Sequence, residues 1–274
     1  MSRVALITGA GRSNGLGKAI AMRLASEGCD ILTHDRGSLS GDIAPTHGVG
    51  LADDLEKTAQ DIRNATGQRV ETVTGDLLDV SAIDAIVASA EALFGRLDIL
   101  VNNAGIGYLF GPLTAVDPKH LDAVLGVNLR APMLLTGKAV PLMINGGQGG
   151  RVINIASQAA KSGFAFASAY TASKHGLLGF TRSAALELGE HGITVNAVCP
   201  NHVTTGLGAW QNDFMRKARG QTMEEYMAVM RARIPLGRLG LPKDTANAVA
   251  FLCSEQANYI TGEAMNVSGG EEYH

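Results

Sequence analysis

The chain has 274 residues, a formal net charge of −3 and a hydrophobic fraction of 46%. These values fit one globular domain with a buried core, and they exclude a disordered chain and the basic surface that binds nucleic acid. No apolar stretch reaches the roughly 20 residues that cross a bilayer, and the first predicted strand begins at Val4, which leaves no room for a signal peptide. We therefore expect a cytoplasmic protein with neither a membrane nor a nucleic-acid partner.

Short apolar runs alternate with longer helical patterns along the chain. The predicted strands are 4–8, 30–34, 69–73, 98–101, 151–155, 193–197 and 264–267. The predicted helices lie near 16–27, 52–65, 81–94, 118–143, 169–188 and 242–252. Most strands are apolar throughout, which is typical of strands buried on both faces of a parallel sheet. The pattern predicts an α/β fold in which residues 1–274 form a single domain. Its core is a doubly wound parallel sheet of about seven strands, with helices on both faces.

Two stretches interrupt this alternation. Residues 36–50 are rich in Gly, Ser and Asp and predict a loop after the second strand. Residues at about 204–233 separate the sixth strand from the last helix and carry Trp210, Phe214 and Tyr226 among charged residues. A long insertion near strand ends is often a lid, so we expect a substrate lid here. A solvated surface excursion is the alternative.

A glycine-rich turn follows the first strand directly. It reads Thr8-Gly9-Ala10-Gly11-Arg12-Ser13-Asn14-Gly15-Leu16-Gly17 and leads into the first helix. Glycines in such a turn let backbone amides approach a pyrophosphate, and the N-terminus of the helix faces the negative charge. Asp35 ends the second strand 18 residues beyond Gly17, where a carboxylate accepts hydrogen bonds from the adenosine ribose. The two features together predict a dinucleotide-binding site.

The charges beside the ribose determine which dinucleotide binds. Asp35 repels a 2′-phosphate and therefore favours NAD. Arg36 and Arg12 act in the opposite direction, because either guanidinium can pair with the 2′-phosphate of NADP. We expect NAD as the preferred cofactor, since the charge of Asp35 must be neutralised before NADP fits.

A tyrosine and a lysine four residues apart form the candidate catalytic pair. Tyr170-Thr171-Ala172-Ser173-Lys174 places the phenol and the ammonium on one face of a helix. A phenol is a poor base at its usual pKa of about 10, and a neighbouring cation lowers that pKa. Ser157 lies 13 residues before Tyr170, just past a strand, where its hydroxyl can bond a carbonyl or an alcohol. These residues predict hydride transfer between a nicotinamide and an alcohol or ketone carbon.

With these residues, the chain resembles the short-chain dehydrogenase/reductase family over essentially its whole length. The other motifs that carry the resemblance are Asp76-Leu77, Asn102-Asn103-Ala104-Gly105, Asn128, Ile234-Pro235-Leu236-Gly237-Arg238, Ile260-Thr261-Gly262 and Val267-Ser268-Gly269-Gly270. The resemblance implies a Rossmann-like fold and an NAD(P)-dependent oxidoreductase that acts on a secondary alcohol or ketone. It also implies a homotetramer or homodimer, assembled through the helices before and after the fifth strand, and no metal.

The resemblance assigns roles to individual residues. Tyr170 is the expected acid/base, Ser157 polarises the reacting oxygen, and Lys174 lowers the pKa of the tyrosine and holds the nicotinamide ribose. Asn128 helps to anchor a water that relays protons through that lysine. Residues 193–205 form the wall against the nicotinamide. By the same resemblance, Asp76 and Leu77 lie beside the adenine, and Asn102 lies on the adenosine side. The residues expected to bind the cofactor are Gly9, Gly11, Arg12, Asn14, Gly15, Leu16, Gly17, Asp35, Arg36, Asp76, Leu77, Asn103, Ala104, Gly105, Tyr170, Lys174, Pro200, Val203 and Thr205.

The chain departs from the family pattern at two turns. Five residues rather than three separate Gly9 from Gly15, so we expect a phosphate loop longer by two residues, with residues 12–14 bulging near the adenosine phosphates. The usual Pro-Gly after the sixth strand is Pro200-Asn201-His202. Asparagine tolerates left-handed backbone, so we expect the turn to be kept. His202 is either a polar contact or proton donor for the substrate, or a structural side chain.

The side chains expected to reach the substrate are Ser157, Gln158, Phe164, Tyr170 and His202. Gln158 and His202 can hydrogen-bond neutral hydroxyls, which favours a polyol, a sugar or a small hydroxy-ketone. The insertion at about 204–233 also resembles that of family members acting on polyols and acetoin-like compounds. Three cations in the insertion can bind a negatively charged group, so an anionic substrate is the alternative; the cations are Arg216, Lys217 and Arg219.

Two other functions are alternatives. A reductase of 3-oxoacyl thioesters on acyl carrier protein predicts NADPH and a basic docking surface, which Asp35 and the acidic balance disfavour. A non-catalytic sensor or scaffold that binds NAD(H) usually lacks the tyrosine or the lysine, and both Tyr170 and Lys174 are present.

The cysteines and the tail complete the sequence. Cys29, Cys199 and Cys253 lie far apart among apolar residues, which predicts buried, reduced thiols, and no spacing suggests a metal site. The tail Glu271-Glu272-Tyr273-His274 is expected either to reach a neighbouring subunit or to fray.

Overall fold

The computed structural model describes residues 2–38, 48, 50–107 and 111–273. Its strands are β1 (Val4–Thr8), β2 (Asp30–Asp35), β3 (Val70–Thr74), β4 (Ile99–Asn102), β5 (Gly150–Ile155), β6 (Ile193–Pro200) and β7 (Ala264–Val267). Neighbouring strands are parallel, in the order β3-β2-β1-β4-β5-β6-β7. The predicted α/β fold with a doubly wound parallel sheet is confirmed.

The helices also follow the predicted order, with one division. They are α1 (Leu16–Ser26), α2 (Ala52–Thr66), α3 (Val80–Phe94), α4 (Pro118–Leu125), α5 (Ala131–Gly146), α6 (Ser168–Leu188), α7 (Gly206–Ala218), α8 (Met223–Arg233) and α9 (Pro242–Cys253). The predicted helix 118–143 is α4 and α5, joined by one turn of π-helix at Gly126–Arg130. Because a π turn keeps the chain helical, the sequence pattern showed one continuous helix.

The insertion at about 204–233 is helical, forming α7 and α8. A capping box begins α8: the Thr222 hydroxyl accepts from the Glu225 amide, and the Glu225 carboxylate accepts from the Thr222 amide. The capping box was a helix signal in the sequence of the expected lid, and the sequence analysis did not use it. Most of the predicted loop 36–50 lies outside the described residues, namely 39–47 and 49.

Two hydrophobic clusters cover the two faces of the sheet. Ile7 belongs to the cluster that includes side chains of α1, α2 and α9, such as Ile20. The neighbouring Leu6 belongs to the cluster that includes side chains of α3, α5 and α6, such as Ile86 and Leu135. Successive side chains of a strand point to opposite faces, so β1 is buried on both. This two-sided burial is the reason that the strands are apolar throughout in the sequence.

The order of the strands places a crevice at one edge of the sheet. β2 and β3 lie on one side of β1, and β4 to β7 lie on the other. In an open parallel sheet, such a reversal leaves a crevice outside the carboxyl ends of the strands, where ligands bind. The glycine-rich turn after β1 and the motifs after β4 and β5 therefore lie at the same edge.

The described part of the chain contains no helix that is both long and apolar enough to cross a membrane. Cys29, Cys199 and Cys253 are buried, and each is free of a disulfide. The prediction of buried, unpaired thiols is confirmed.

Candidate active site

A cavity of about 170 Å³ opens at the carboxyl edge of the sheet, at the ends of β1 to β4. Twelve of the residues expected to bind the cofactor line it: Gly9, Arg12, Gly15, Leu16, Asp35, Arg36, Asp76, Leu77, Asn103, Ala104, Gly105 and Thr205. The fold therefore joins the glycine-rich turn, the end of β2 and the Asn-Asn-Ala-Gly motif in one site.

Sequence reasoning missed six residues that line this cavity: His34, Gly75, Leu78, Ile106, Ala123 and Val127. Four of them are chain neighbours of predicted residues, and that adjacency was the signal for them. Ala123 lies on α4 and Val127 on the following π turn, so only the folded chain brings these two to the cavity.

Seven residues that were expected to bind the cofactor do not line the cavity: Gly11, Asn14, Gly17, Tyr170, Lys174, Pro200 and Val203. Two of the glycines serve close packing. A β carbon on Gly17 would lie 2.4 Å from the Gly9 carbonyl oxygen, and one on Gly11 would lie 3.0 Å from Asp35 Oδ2. Glycine at these positions lets α1 and the carboxylate approach the turn.

Asn102 lies in the interior rather than on the adenosine side. Its Nδ2 donates to Thr136 Oγ1 at 3.1 Å and to Asn154 Oδ1 at 2.8 Å. The next residue, Asn103, lines the cavity and donates to the Thr8 carbonyl at 2.7 Å. Because successive side chains at a strand end diverge, only one residue of the pair can face the cavity.

The phosphate loop has the predicted extra residues. The Gly15 amide donates to the Arg12 carbonyl at 3.0 Å, which closes a turn over residues 12–15 before α1 begins. Gly15 caps α1 without a side-chain hydrogen bond, so no cap side chain satisfies the amides of the first turn. A helix N-terminus of this kind binds phosphate groups, and the loop fits the pyrophosphate of a dinucleotide.

The Asp35 carboxylate is fixed at the end of β2. Its Oδ2 accepts from the Gly11 amide at 2.8 Å, and its Oδ1 accepts from the Arg36 amide at 2.8 Å. Asp35 is 8% exposed, so it is a buried carboxylate held by two backbone donors. It lines the cavity where the second strand was predicted to meet the ribose.

Both arginines beside the ribose position are engaged with the protein. Arg36 Nε lies 3.0 Å from Asp76 Oδ2. Arg12 donates to the Gly48 carbonyl. Burial lowers the pKa of Arg12, and the Asp35 carboxylate acts in the opposite direction. At this end of the cavity, the carboxylates of Asp35 and Asp76 therefore lie beside the guanidinium groups of Arg12 and Arg36.

His34 is a buried histidine in the wall of the cavity. Its Nε2 lies 3.0 Å from the Gly75 carbonyl, and its Nδ1 has no hydrogen-bond partner among the described residues. Burial lowers the pKa of His34, against the attraction of Asp35. At neutral pH the ring is therefore neutral, with Nε2–H donating to the carbonyl and Nδ1 left as an acceptor.

Ser157 lies close enough to Tyr170 for hydrogen bonding between the two side chains to act on the pKa of the phenol. Ser157 follows β5, and Tyr170 lies in the first turn of α6, where it packs against Ala123 and Val124. Burial raises the pKa of Tyr170, the hydrogen bond from Ser157 lowers it, and the nearby Cys199 raises it further. The fold therefore brings together the two side chains that were predicted to be the acid/base and its partner.

Lys174 lies beside Tyr170 but does not lower the pKa of the phenol. Its Nζ donates to the Ile155 carbonyl at 2.8 Å and lies 5.7 Å from the centre of the Tyr170 ring. Burial lowers the pKa of Lys174 to about 8. The expected depression of the tyrosine pKa is therefore absent from the chain alone, because burial of both groups disfavours both charges.

Asn128 lies between Lys174 and the segment that lines the cavity. It is fully buried in the π turn, its Oδ1 accepts from the Ile106 amide, and its Nδ2 donates to the Ile106 carbonyl, both at 2.9 Å. A β carbon on Gly105 would lie 3.5 Å from Asn128 Oδ1 and 3.7 Å from Lys174 Nζ. Since Gly105 lines the cavity, Asn128 and Lys174 lie directly behind its wall.

Of the residues expected to reach the substrate, Tyr170 lies on α6, and the other four lie in the segments after β5 and after β6. Gln158 is buried, and its carboxamide donates to the Glu272 carboxylate. Phe164 is 39% exposed in the loop before α6. His202 Nε2 lies 3.4 Å from Glu271 Oε2 in the loop after β6. Gln158 and His202 therefore contact the C-terminal tail.

The tail folds back on its own chain, and neither of the two expectations for it describes this. Glu271 accepts a hydrogen bond from Asn201 and pairs with His202 and Arg233. The left-handed residue of the turn after β6 is His202, with φ of 37°, and not Asn201 as expected. Asn201 is fixed by its side-chain bond to Glu271, so the left-handed conformation falls on the next residue.

The three cations of the insertion are engaged within it. Arg216 and Lys217 each lie 2.6 Å from Asp213, and the Arg219 guanidinium lies 5.7 Å from the centre of the Tyr226 ring. These contacts give no support to an anionic substrate. Among the described residues, no group of three His, Cys, Asp or Glu side chains could hold a metal ion.

The fold and the site define a class of protein. A cavity at the reversal point of a parallel sheet, with a partly buried serine and tyrosine and a buried lysine close to it, is typical of a nicotinamide-dependent oxidoreductase. A family model described as enoyl-(acyl carrier protein) reductase matches residues 9–272. The chain is 36% identical over 270 residues to a short-chain dehydrogenase/reductase of Armillaria gallica, covering 98% of this chain and 95% of the relative. The chain belongs to the short-chain dehydrogenase/reductase family, whose members named among its relatives are oxidoreductases acting on CH–OH groups.

Other comparisons agree with this assignment. The chain is 35% identical over 269 residues to the galactitol 2-dehydrogenase of Agrobacterium fabrum, covering 98% of this chain and 97% of the relative. Two solved structures have a TM-score of 0.88 and cover 98% of this chain and 97% of their own. One is a variant of actinorhodin polyketide ketoreductase with NADPH, at 35% identity, and the other is carveol dehydrogenase from Mycobacterium avium in complex with NAD, at 32%. This protein is an oxidoreductase that uses a nicotinamide cofactor.

Proposed function

We propose that the protein is an NAD-preferring dehydrogenase of a neutral secondary alcohol, and of the matching ketone in reverse: a polyol, a sugar or a small hydroxy-ketone. The observation that carries this proposal is the pair of Ser157 and Tyr170, both partly buried, with the buried Lys174 beside Tyr170, next to a cavity that holds the Asp35 carboxylate. Galactitol 2-dehydrogenase among the relatives supports the substrate class.

The residues of the chain supply the acid/base chemistry. In oxidation, Tyr170 takes the proton of the substrate hydroxyl while Ser157 holds the reacting oxygen, and reduction reverses the transfer. A bound oxidised nicotinamide supplies the hydride acceptor and a positive charge. The chain raises the pKa of Tyr170, so that added charge is what favours the phenolate when the alcohol must be deprotonated.

Two features support NAD over NADP. Asp35 is a buried carboxylate with a fixed orientation, and a 2′-phosphate beside it meets an uncompensated negative charge. Arg36 is paired with Asp76, and Arg12 is bonded to the Gly48 carbonyl, so part of the donor set of each guanidinium is already engaged by the protein. This engagement weakens the pairing of either arginine with a 2′-phosphate.

The experiment that tests the proposal measures initial rates with NAD and NADP in parallel, across polyols, sugars and simple secondary alcohols. We expect an NAD-linked rate with one group of polyols or hydroxy-ketones, and a higher kcat/KM for NAD than for NADP. No rate on any alcohol with either cofactor contradicts the substrate class.

A ketoreductase acting on 3-oxoacyl thioesters is the second candidate. The NADPH-bound polyketide ketoreductase among the solved structures favours it. It requires NADPH-linked reduction of a 3-oxoacyl thioester at a rate above that of any polyol, and the same assay with that thioester decides between the two. A sensor or scaffold shows no turnover with any substrate of either assay.

We also infer a cytoplasmic homotetramer or homodimer, with α7 and α8 as a lid over the substrate. Met133 on α5 and Leu186 on α6 are 47% and 88% exposed, which supports an interface on the helices around β5. Three unpaired cysteines agree with a reducing compartment. Light scattering coupled to gel filtration tests the assembly, and a monomeric mass contradicts it.

A further inference from the structure

The C-terminal tail has a defined structure at the substrate side of the site. We define the strap as residues 268–273, which follow β7. The Ser268 hydroxyl donates to the Glu272 carbonyl at 2.8 Å and accepts from the Glu272 amide at 3.2 Å. These two bonds close the strap into a turn, which directs the side chains of Glu271 and Glu272 to two different loops.

Glu272 contacts the loop that carries the catalytic serine. Its carboxylate accepts a hydrogen bond from the Gln158 carboxamide, and the Ser162 hydroxyl lies 3.4 Å from it. Gln158 is 5% exposed and directly follows Ser157. A bond from Nε2 to a carboxylate fixes the orientation of the amide, because it determines where the carbonyl oxygen points.

Glu271 contacts the loop after β6. Its side chain is 5% exposed, its Oε2 lies 3.4 Å from His202 Nε2, and its Oε1 lies 2.8 Å from Arg233 Nη2. His202 has a φ of 37°, a left-handed conformation that a residue other than glycine keeps only where its surroundings hold it. The contact with Glu271 supplies such a hold, and the ring in that contact is neutral because burial lowers the pKa of His202.

We propose that Glu271 and Glu272 are positioning residues: through His202 and Gln158 they determine substrate affinity, and they leave cofactor affinity unchanged. The inference rests on the proposed function for one point, that His202 and Gln158 face the substrate. Neither glutamate is among the described residues that line the cofactor cavity. A substitution that removes the contacts of Glu271 or Glu272 therefore changes the KM for the alcohol and not the Kd for NADH.

The test compares Glu272→Ala, Glu272→Gln and Glu271→Gln with wild type in the full-length enzyme. The substrate is galactitol or 2,3-butanediol, whichever wild type oxidises faster, and NADH binding is followed by fluorescence. Glu272→Ala and Glu271→Gln are each expected to raise the substrate KM by about tenfold and to change the NADH Kd by less than about twofold. Glu272→Gln keeps an acceptor for Gln158, so its KM stays near that of wild type.

A double-mutant cycle shows whether Glu272 acts through Gln158. If it does, Gln158→Leu with Glu272→Ala raises KM no more than the larger single effect, since both changes remove one interaction. Multiplied effects, or an unchanged KM in Glu272→Ala, overturn the proposal. Glu190→Ala is the matched control, because that exposed glutamate lies after α6 and away from the strap.

Failure of the proposed function is distinguished by the wild type itself, which then oxidises none of the polyols, sugars and secondary alcohols of the first assay. In that case hydrogen exchange of peptides covering 157–162 and 199–205 decides the role of the strap. Faster exchange in both peptides in Glu271→Gln and Glu272→Ala, with an unchanged NADH Kd, supports the proposal. Exchange equal to that of wild type overturns it.

Discussion

Tyr170 and Lys174 lie four residues apart on α6, and Lys174 is 4% exposed. Burial raises the pKa of the phenol and lowers that of the ammonium to about 8, so each group is displaced toward its neutral form. The sequence showed the pair but not this effect, because spacing alone predicts proximity of charges and says nothing of desolvation. The chain thus holds the phenol protonated until a further positive charge favours its ionisation.

Lys174→Met tests the buried lysine through stability at different pH. The pKa of Lys174 is about 8 in the folded chain, against an ordinary value of 10.5. Between these values the unfolded chain binds more protons, so the unfolding free energy of wild type rises with pH relative to the variant. The rise from pH 7 to pH 11 is about 3 kcal/mol. Urea unfolding of both proteins without cofactor measures it, and a difference that is constant with pH contradicts the assigned burial.

Asp35→Ser tests the choice of cofactor. Serine removes the negative charge that repels the 2′-phosphate and leaves Arg12 and Arg36 nearby. The ratio of kcat/KM for NADP to that for NAD is expected to rise by about tenfold or more. Asp84→Ser is the control, because Asp84 is an exposed residue of α3 that pairs with Lys138. An unchanged ratio in Asp35→Ser means that Asp35 does not select the cofactor.

At the scale of an element, α1 depends on its glycine contacts with the turn after β1. A β carbon on Gly17 would lie 2.4 Å from the Gly9 carbonyl oxygen and 2.8 Å from Ala10 Cα. These are backbone atoms, so α1 must move away from the turn to relieve the contact. Such a movement displaces the helix N-terminus that is proposed to bind the pyrophosphate.

Gly17→Ala is therefore expected to lower the free energy of unfolding by about 1–3 kcal/mol and to weaken NADH binding. The matched control is Gly137→Ala in α5, where a β carbon meets nothing within 4 Å. That change is expected to raise the unfolding free energy by up to about 1 kcal/mol, since alanine is the better helix former. Equal stability of Gly17→Ala and wild type contradicts the packing role.

The sequence predicted the strands and most helices better than the segments that connect them. The strands are buried on both faces, so their apolar runs and their positions were clear; β1 and β7 have the predicted bounds. The π turn at Gly126–Arg130 was not predictable from periodicity, because it keeps the chain helical. The insertion was not predicted as helical because its surface is polar and hides the helical periodicity. The caps of α7 and α8 carried the only clear signal for these two helices.

At the scale of the whole molecule, the separation of contacting residues along the chain explains which parts of the site could be predicted. Ser157, Tyr170 and Lys174 lie close in sequence and belong to one family motif, so their association followed from spacing. Outside the strap, Glu271 and Glu272 contact residues 38 to 114 positions earlier in the chain, and no local sequence pattern predicts those contacts. His34 was missed for a different reason, since a histidine within a buried strand looks like a core residue.

Cofactor binding should stabilise the whole fold, because only the folded chain assembles the turn after β1 with the ends of β2 and β4. At a concentration of 100 times its Kd, a ligand adds about 2.7 kcal/mol to the unfolding free energy. We expect NAD to raise the melting temperature more than NADP at the same concentration. A larger shift with NADP contradicts the preference assigned to Asp35.

Tyr170→Phe tests most directly whether this fold holds an active site and not a binding site alone. The change removes the hydroxyl that exchanges the proton and keeps the ring, so we expect kcat to fall by about 10²–10⁴-fold while the Kd for NADH stays within about twofold of wild type. Tyr259→Phe is the control, because Tyr259 is fully exposed. Turnover by Tyr170→Phe at the wild-type rate, with NADH still bound, would contradict the account.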